Sequence, residues 1–370
     1  MRLELRNINK TAIDGTTFIR NFNLQVENKE FLSLAGPHGC GKSTILRMIA
    51  GLDTPGSGDI LIDGVRVNDL EPRQRSVAMM FSNGVLYPDQ TVFDNMAFGL
   101  KQMKMAKADY TVLVEEAAEL LGISKHLHKK PRSLNEEEIQ LTLIGRAIAK
   151  KPKVLLLDEP FAKLSPALTM KMRFELSLIY QKMDMLVVYV TSDPLGALAV
   201  GTKVVIMKDG RVMQVDDPMD LYERPTSLFA AQFFGTPPIN TFECDVEENA
   251  DSGVGLRFGT YFLPLPPSKA ADLRKAGYIG KKVLAGLRPE DIKDEEIFVD
   301  TSPAPLDATI LVREMLGAIT YLDIRIGDTQ MVASVNPRTA ARSGEQMRLA
   351  FDMRKIHLFD MKTLNIIGNG

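Results

Sequence analysis

A chain of 370 residues, 45% apolar and 25% charged, is long enough for two or three domains, each with its own core. Its 45 Lys and Arg against 47 Asp and Glu leave a net charge of −2, so nothing in the balance points to nucleic acid as a partner. Cys40 and Cys244 lie far apart without metal-ligand spacing, which favours a reduced, cytosolic compartment, and no apolar run reaches the roughly 20 residues needed to cross a bilayer.

The N-terminus already alternates like a strand, so no secretory leader is expected. Residues 1 to 35 read as short strands with turns at Asp14-Gly15 and Asn28-Lys29. Period-2 spacing marks Leu3, Leu5 and Ile8, then Phe22, Leu24 and Val26, as core positions. The apolar run Phe31 to Ala35 leads into Gly36-Pro37-His38-Gly39-Cys40-Gly41-Lys42-Ser43-Thr44, and Ile45, Leu46, Met48 and Ile49 follow at helical spacing. Strand, glycine loop and helix in that order make an anion nest at a helix N-terminus. Lys42 would reach the β- and γ-phosphates of a nucleotide, and the Ser43 hydroxyl would hold the bridging Mg²⁺. The nucleotide-binding set is Gly36, His38, Gly39, Cys40, Gly41, Lys42, Ser43 and Thr44. Two readings of Cys40 stand open: a thiol made reactive by Lys42 and the helix N-terminus, or a small side chain filling a tight loop.

A Thr54-to-Gly58 turn leads to a strand at Ile60–Ile62, closed by Asp63-Gly64, and Val77 to Phe81 reads as a buried strand. From about 84 to 150 the pattern is helical, with helices over Met96–Met105, Val112–Leu121 and Asn135–Ile148. Val154 to Leu157 is fully apolar and ends in Asp158-Glu159-Pro160. Such a strand belongs in the middle of a parallel sheet, at whose C-terminal end ligands sit. Asp158 is thereby placed to hold Mg²⁺ through water, and Glu159 to orient or deprotonate an attacking water. Met185 to Val190 is another buried strand before Thr191-Ser192-Asp193-Pro194, and Lys203–Met207 and Arg211–Val215 flank Asp209-Gly210 as a hairpin. Residues 236–370 carry short alternating strands broken by proline and glycine, such as Ile319–Ile326, and read as a separate, mostly β domain after an α/β domain over 1–235. His126, His128 and His357 show no metal spacing and are expected at the surface.

The phosphate loop, Val154–Pro160, Tyr87-Pro88 with Asn95 to Leu100, and Gly145-Arg146-Ala147 together resemble the ATP-binding subunit of an ABC transporter. Tyr222 to Pro225, Phe233 to Pro238 and Gly286 to Ile292 resemble the maltose-type importer ATPases. The resemblance implies an α/β P-loop ATPase domain with a helical subdomain at about 84–150, followed by an oligonucleotide-binding-like (OB-like) regulatory domain. It implies ATP and Mg²⁺ as ligands and a peripheral place on the cytoplasmic face of a bacterial inner membrane. The implied partners are two membrane-spanning permease subunits, a second ATPase subunit and, indirectly, a solute-binding protein. The cargo would be a sugar, polyol, glycerol or glycerol phosphate. The region Asn83 through Leu100 keeps the family form associated with docking to the membrane subunits.

In that family ATP lies between two subunits, one giving the phosphate loop and carboxylates, the other a Leu-Ser-Gly-Gly-Gln signature. Here the corresponding run is Leu134-Asn135-Glu136-Glu137-Glu138. Asn135 is a good N-cap and Glu138 completes a capping-box pattern. A carboxylate about 5 Å from a phosphate charge, however, costs on the order of 3 kcal/mol at an effective dielectric near 20. The family's Mg²⁺-sensing glutamine is replaced by Ser82, its γ-phosphate histidine by Ser192, and its interface-crossing aspartate by Ser165. The phosphate-loop position that meets this aspartate is His38, and Ala12 and Ile13 stand where an aromatic usually stacks on adenine. These departures predict a nucleotide-binding chain of weak turnover, paired with a better-equipped ATPase. An ordinary homodimeric ATPase and a regulatory module using ATP as a structural ligand are the other two readings.

Overall fold

The computed structural model describes residues 2–12, 15–27, 29–250 and 252–368. Ile13 and two of the predicted turn residues, Asp14 and Asn28, lie outside the described residues. By packing, the chain divides into two units, 1–219 and 220–370.

In the first unit the elements run β1 (Arg2–Thr11), β2 (Thr17–Glu27), β3 (Phe31–Ala35), α1 (Lys42–Ala50), β4 (Ser57–Ile62), β5 (Val65–Arg66) and β6 (Val77–Met80). Three helices follow, α2 (Val92–Gln102), α3 (Lys107–Leu120) and α4 (Glu136–Ile148). The unit closes with β7 (Val154–Asp158), α5 (Pro166–Gln181), β8 (Leu186–Thr191), α6 (Pro194–Val200), β9 (Lys203–Lys208) and β10 (Arg211–Asp216). One sheet has the order β10-β9-β3-β8-β7-β6 and is parallel except for the β9–β10 hairpin. A second, antiparallel sheet has the order β2-β1-β4-β5.

Residue pattern explains the layering. Every residue of β3, β7 and β8 is buried, as expected for strands covered on both faces. One face packs Leu32, Leu34, Leu156 and Val188 against α1 and the antiparallel sheet, whose Leu3, Leu5 and Phe22 point the same way. The other packs Phe31, Leu155 and Leu157 against the helices. Each fully buried leucine contributes roughly 1.5–3 kcal/mol, so these short strands are strongly held. The shared C-terminal edge of β3, β7 and β8 is consequently a rigid platform for the loops that leave it.

Gly210, at the tip of the β9–β10 hairpin, ties that platform together. Its φ is +74°, and a Cβ there would stand 1.8 Å from the Phe18 carbonyl oxygen. Its N–H donates to the Cys40 carbonyl at 3.1 Å, and its carbonyl accepts from Arg20 N–H at 3.0 Å. The hairpin thus fixes both β2 and the glycine loop.

The second unit is mostly β and OB-like. The helix α7 (Pro218–Glu223) spans the division, and α8 (Leu228–Phe233) precedes β11 (Asn240–Asn249), β12 (Gly253–Phe258), β13 (Tyr261–Pro264), α9 (Pro267–Lys275), β14 (Lys282–Leu287) and β15 (Ile292–Lys293). After α10 (Glu296–Thr301) come β16 (Leu306–Met315), β17 (Thr320–Ile326), β18 (Thr329–Val335), β19 (Gln346–Phe351) and β20 (His357–Phe359). Among the described residues these form two five-stranded sheets, β13-β12-β11-β14-β20 and β15-β19-β16-β17-β18. They share a core of Phe242, Val246, Leu256, Ile310, Ile324 and Leu349. Residues 220–235 pack with this unit because Leu228 and Ala231 meet Ile239 and Phe359, and because the buried Arg288 guanidinium donates to the carbonyls of Tyr222 and Phe234 at 2.5 and 2.6 Å.

Candidate nucleotide site

The glycine loop leaves β3 and turns directly into α1. Gly39 and Gly41 take φ of +79° and +104°, in the left-handed region open to glycine. A Cβ on Gly36 would lie 2.3 Å from the Met207 carbonyl oxygen, and one on Gly41 would lie 2.3 Å from Ile19 Cδ1. The loop is therefore a cradle that side chains would fill. Lys42 begins α1 and is buried, its Nζ donating to the carbonyls of Gly36 and Pro37 at 2.7 and 2.8 Å. A cavity of about 380 Å³ opens above it, lined by His38, Lys42, Ser43, Thr44, Ser82 and Glu159 among others.

The carboxylates arrive from β7. The Ser43 hydroxyl donates to Asp158 Oδ1 at 2.8 Å, so the two candidate Mg²⁺ ligands already converge. Burial is the main cause raising the Asp158 pKa; the Glu159 charge raises it further, and the Ser43 hydrogen bond opposes. Two adjacent carboxylates in a half-dry site fit a divalent cation. Among the described residues no group of three or more His, Cys, Asp or Glu could hold one alone. The chemistry of the donor set therefore suits Mg²⁺ completed by phosphate oxygens and water. Glu159 has a left-handed backbone, φ 46°, and its N–H donates to the Val190 carbonyl at 3.0 Å. That conformation is costly for a non-glycine residue and turns the side chain into the cavity. There Glu159 Oε1 accepts a 2.6 Å hydrogen bond from the Ser192 hydroxyl. The Ser192 position thus reaches Glu159, and a second cavity of about 590 Å³ remains open around it.

The glutamate-rich run opens α4. Asn135 caps it: its Oδ1 accepts from Glu138 N–H at 2.9 Å, and Glu138 Oε2 accepts from Asn135 N–H at 3.0 Å. Two of the three carboxylates also find side-chain partners in this chain. Glu137 is 2.5 Å from Lys171 Nζ, and Glu138 Oε1 is 3.0 Å from His126 Nε2, while Glu136 is exposed. Ser165 caps α5 by accepting from Leu168 N–H at 3.4 Å, and Ser82 is exposed at the rim of the phosphate cavity.

Two expectations are corrected, and one of the two readings of Cys40 is favoured. His126 is buried beside Glu138 rather than on the surface, because the 3-10 turn at Ser124–His126 folds against the α4 start. His357 is also buried; burial, followed by the charges of Arg288, Lys269 and Lys355, pushes its pKa down to about 3. Cys40 does not have a lowered pKa. Burial raises it and outweighs Lys42, whose Nζ is 4.0 Å away, so the thiol fills the loop. Alkylation of the folded chain at pH 7.5 is expected to be slow at Cys40, and slower at Cys244, whose pKa burial pushes up to about 12. Urea-unfolded chain should label quickly at both; rapid native labelling of Cys40 would contradict the burial argument. Sequence reasoning also passed over Phe18, which lines the phosphate cavity from β2. Its signal was an aromatic immediately before the buried Ile19, on the strand that the hairpin holds against the loop. Ala12 is half-buried and supplies no ring.

Comparison with known proteins agrees with this arrangement. The family described as ABC transporter matches residues 19–162, the MalK OB fold domain matches 235–292, and the TOBE domain matches 305–358. The chain is similar to the oligosaccharides import ATP-binding protein MsmX of Bacillus subtilis, at 41% identity over 98% of each chain. It is also similar to the trehalose/maltose import ATP-binding protein MalK of Thermococcus litoralis, at 38% identity over 94% of each. The solved structure of cbiO1 from Clostridium perfringens, part of the ABC transporter complex cbiONQ, superposes with a TM-score of 0.54 at 25% identity, covering 59% of this chain and 89% of that one. No helix among the described residues is long and apolar enough to cross a membrane. With a glycine-loop cradle, a hydrogen-bonded Ser43–Asp158 pair and full-length relatives of this kind, the chain belongs to the ATP-binding subunits of ABC transporters and carries an ABC-type ATPase domain joined to a maltose-type OB-like domain.

Proposed function

We propose that this chain is the catalytically weakened half of a heterodimeric ATPase pair in an importer for a sugar, polyol, glycerol or glycerol phosphate. It binds ATP and Mg²⁺ through Lys42, Ser43 and Asp158 and works peripherally on the cytoplasmic face of the membrane, beneath two permease subunits fed by a solute-binding protein. The carrying observation is the start of α4. The helix end that should greet a partner-held γ-phosphate is occupied by the Asn135–Glu138 box and by Glu137 held to Lys171. Ser82, Ser165 and Ser192 stand at the other positions where the family places reactive side chains.

Membrane docking is supported by a groove of about 420 Å³ between the sheet and the helices. Val85, Tyr87 and Phe98 line it, with Arg146 and Lys150 on its wall. These aromatic and apolar side chains, partly exposed, suit an apolar helix from a membrane subunit.

The test is affinity purification of the tagged chain from detergent-solubilised membranes of its own host. Recovery with two permeases and a second ATPase bearing an intact signature is the expected outcome. Recovery of permeases with this chain as the sole ATPase would contradict the heterodimer.

A further inference from the structure

His38 is the third residue of the glycine loop and is exposed. It lines both cavities at the site: the one over Lys42 and Ser43, and the neighbouring one around Ser192. Among the described residues, only Glu159 and Ala162 share that position with it. The Ser192 hydroxyl is spent on Glu159, 2.6 Å away, and has no reach beyond it. The remaining imidazoles are elsewhere: His126 lies against Glu138, His128 is exposed in the helical subdomain, and His357 is in the second unit. Among the described residues, His38 is therefore the imidazole available to either cavity. A phosphate resting against Lys42 and Ser43 would have Glu159, an acceptor only, on one wall and His38, an N–H donor, on another.

We propose that His38 contacts the terminal phosphate of bound ATP from the loop side, supplying the imidazole donor that position 192 lacks. The proposal rests on the nucleotide reading of the site. An imidazole donating to a phosphate oxygen is a charge-assisted hydrogen bond, short and stronger than a neutral one. ADP has no γ-phosphate to receive it. His38 accordingly sets preference for ATP over ADP, whereas Lys42 and the loop amides serve both nucleotides.

The test uses the purified full-length chain with Mg²⁺, titrated with ADP and with the non-hydrolysable β,γ-imido analogue of ATP. His38→Ala is expected to weaken the analogue about tenfold and leave ADP unchanged. Adding Ser192→His to that variant should return part of the lost preference, because the second cavity has room for the ring. Unchanged affinity for the analogue in His38→Ala would overturn the proposal. So would an equal loss for both nucleotides, which would mean that His38 merely shapes the loop. Failure of the unaltered chain to bind either nucleotide would instead reject the nucleotide reading, and this proposal with it.

Discussion

Lys42→Ala is expected to lower ATP affinity about 100-fold, as two hydrogen bonds to charged phosphate oxygens at roughly 1.5 kcal/mol each are lost. The lysine is buried at the head of α1, so its ammonium is held near the phosphate position before any ligand arrives. Its present acceptors, the carbonyls of Gly36 and Pro37, mark how tightly the loop closes around it. Removing it also takes a donor from those carbonyls, a cost of about 1 kcal/mol that a well-buried sheet tolerates. The measurement is calorimetric titration with Mg²⁺ and ATP, alongside circular dichroism to show that the fold survives. A loss smaller than about threefold, under 1 kcal/mol, would mean that nucleotide is not gripped here.

Much of this site was legible because its parts obey local rules. Val154–Leu157 is apolar at every position, which only a strand covered on both faces tolerates, and Asp158 and Glu159 therefore had to sit at its end. Asn135 and Glu138 spelled a capping box from sequence, and the structure forms both of its hydrogen bonds. The α2 helix was readable for the same reason: one face is buried, with Met96 and Leu100 on it.

Less legible features depend on residues distant in sequence. The Ser192–Glu159 hydrogen bond joins the ends of two neighbouring strands, and nothing local in Thr191-Ser192-Asp193 announces it. His126 meets Glu138 only because a 3-10 turn folds back onto α4. For Cys40 the sequence named both competing effects, burial and Lys42, but their balance depends on how completely the loop closes. The helix α5 was obscured by composition: Met170, Phe174 and Leu178 are exposed, while Met172, Leu176 and Ile179 are buried. Apolar residues thus occur on both faces, and the 3.6-residue period is blurred. Residues 220–235 have helical character, yet Arg288 anchors them to the β unit.

The second large expectation concerns which composite site turns over. In the site built on this chain's phosphate loop, Glu159 lacks an imidazole at 192 and a glutamine at 82, so little chemistry remains to lose. In the opposite site of the proposed heterodimer the partner would supply its own carboxylate, histidine and glutamine, and this chain only the start of α4. The structure eases that encounter: Glu137 is held to Lys171, and Glu138 is folded back on Asn135 and His126. The Lys171 ammonium thereby offsets the Glu137 charge, which lessens the repulsion expected from a bare acidic turn, while Glu136 stays exposed. The proposed heterodimer is accordingly expected to hydrolyse mostly at the opposite site.

ATP-driven transport by the assembled complex decides the matter, measured after Glu159→Gln in this chain and, separately, after the same change at the matching partner residue. The partner change should reduce transport at least about 100-fold, the lower end of what a positioned general base contributes, while Glu159→Gln costs no more than about threefold. Equal losses from the two substitutions would contradict the account.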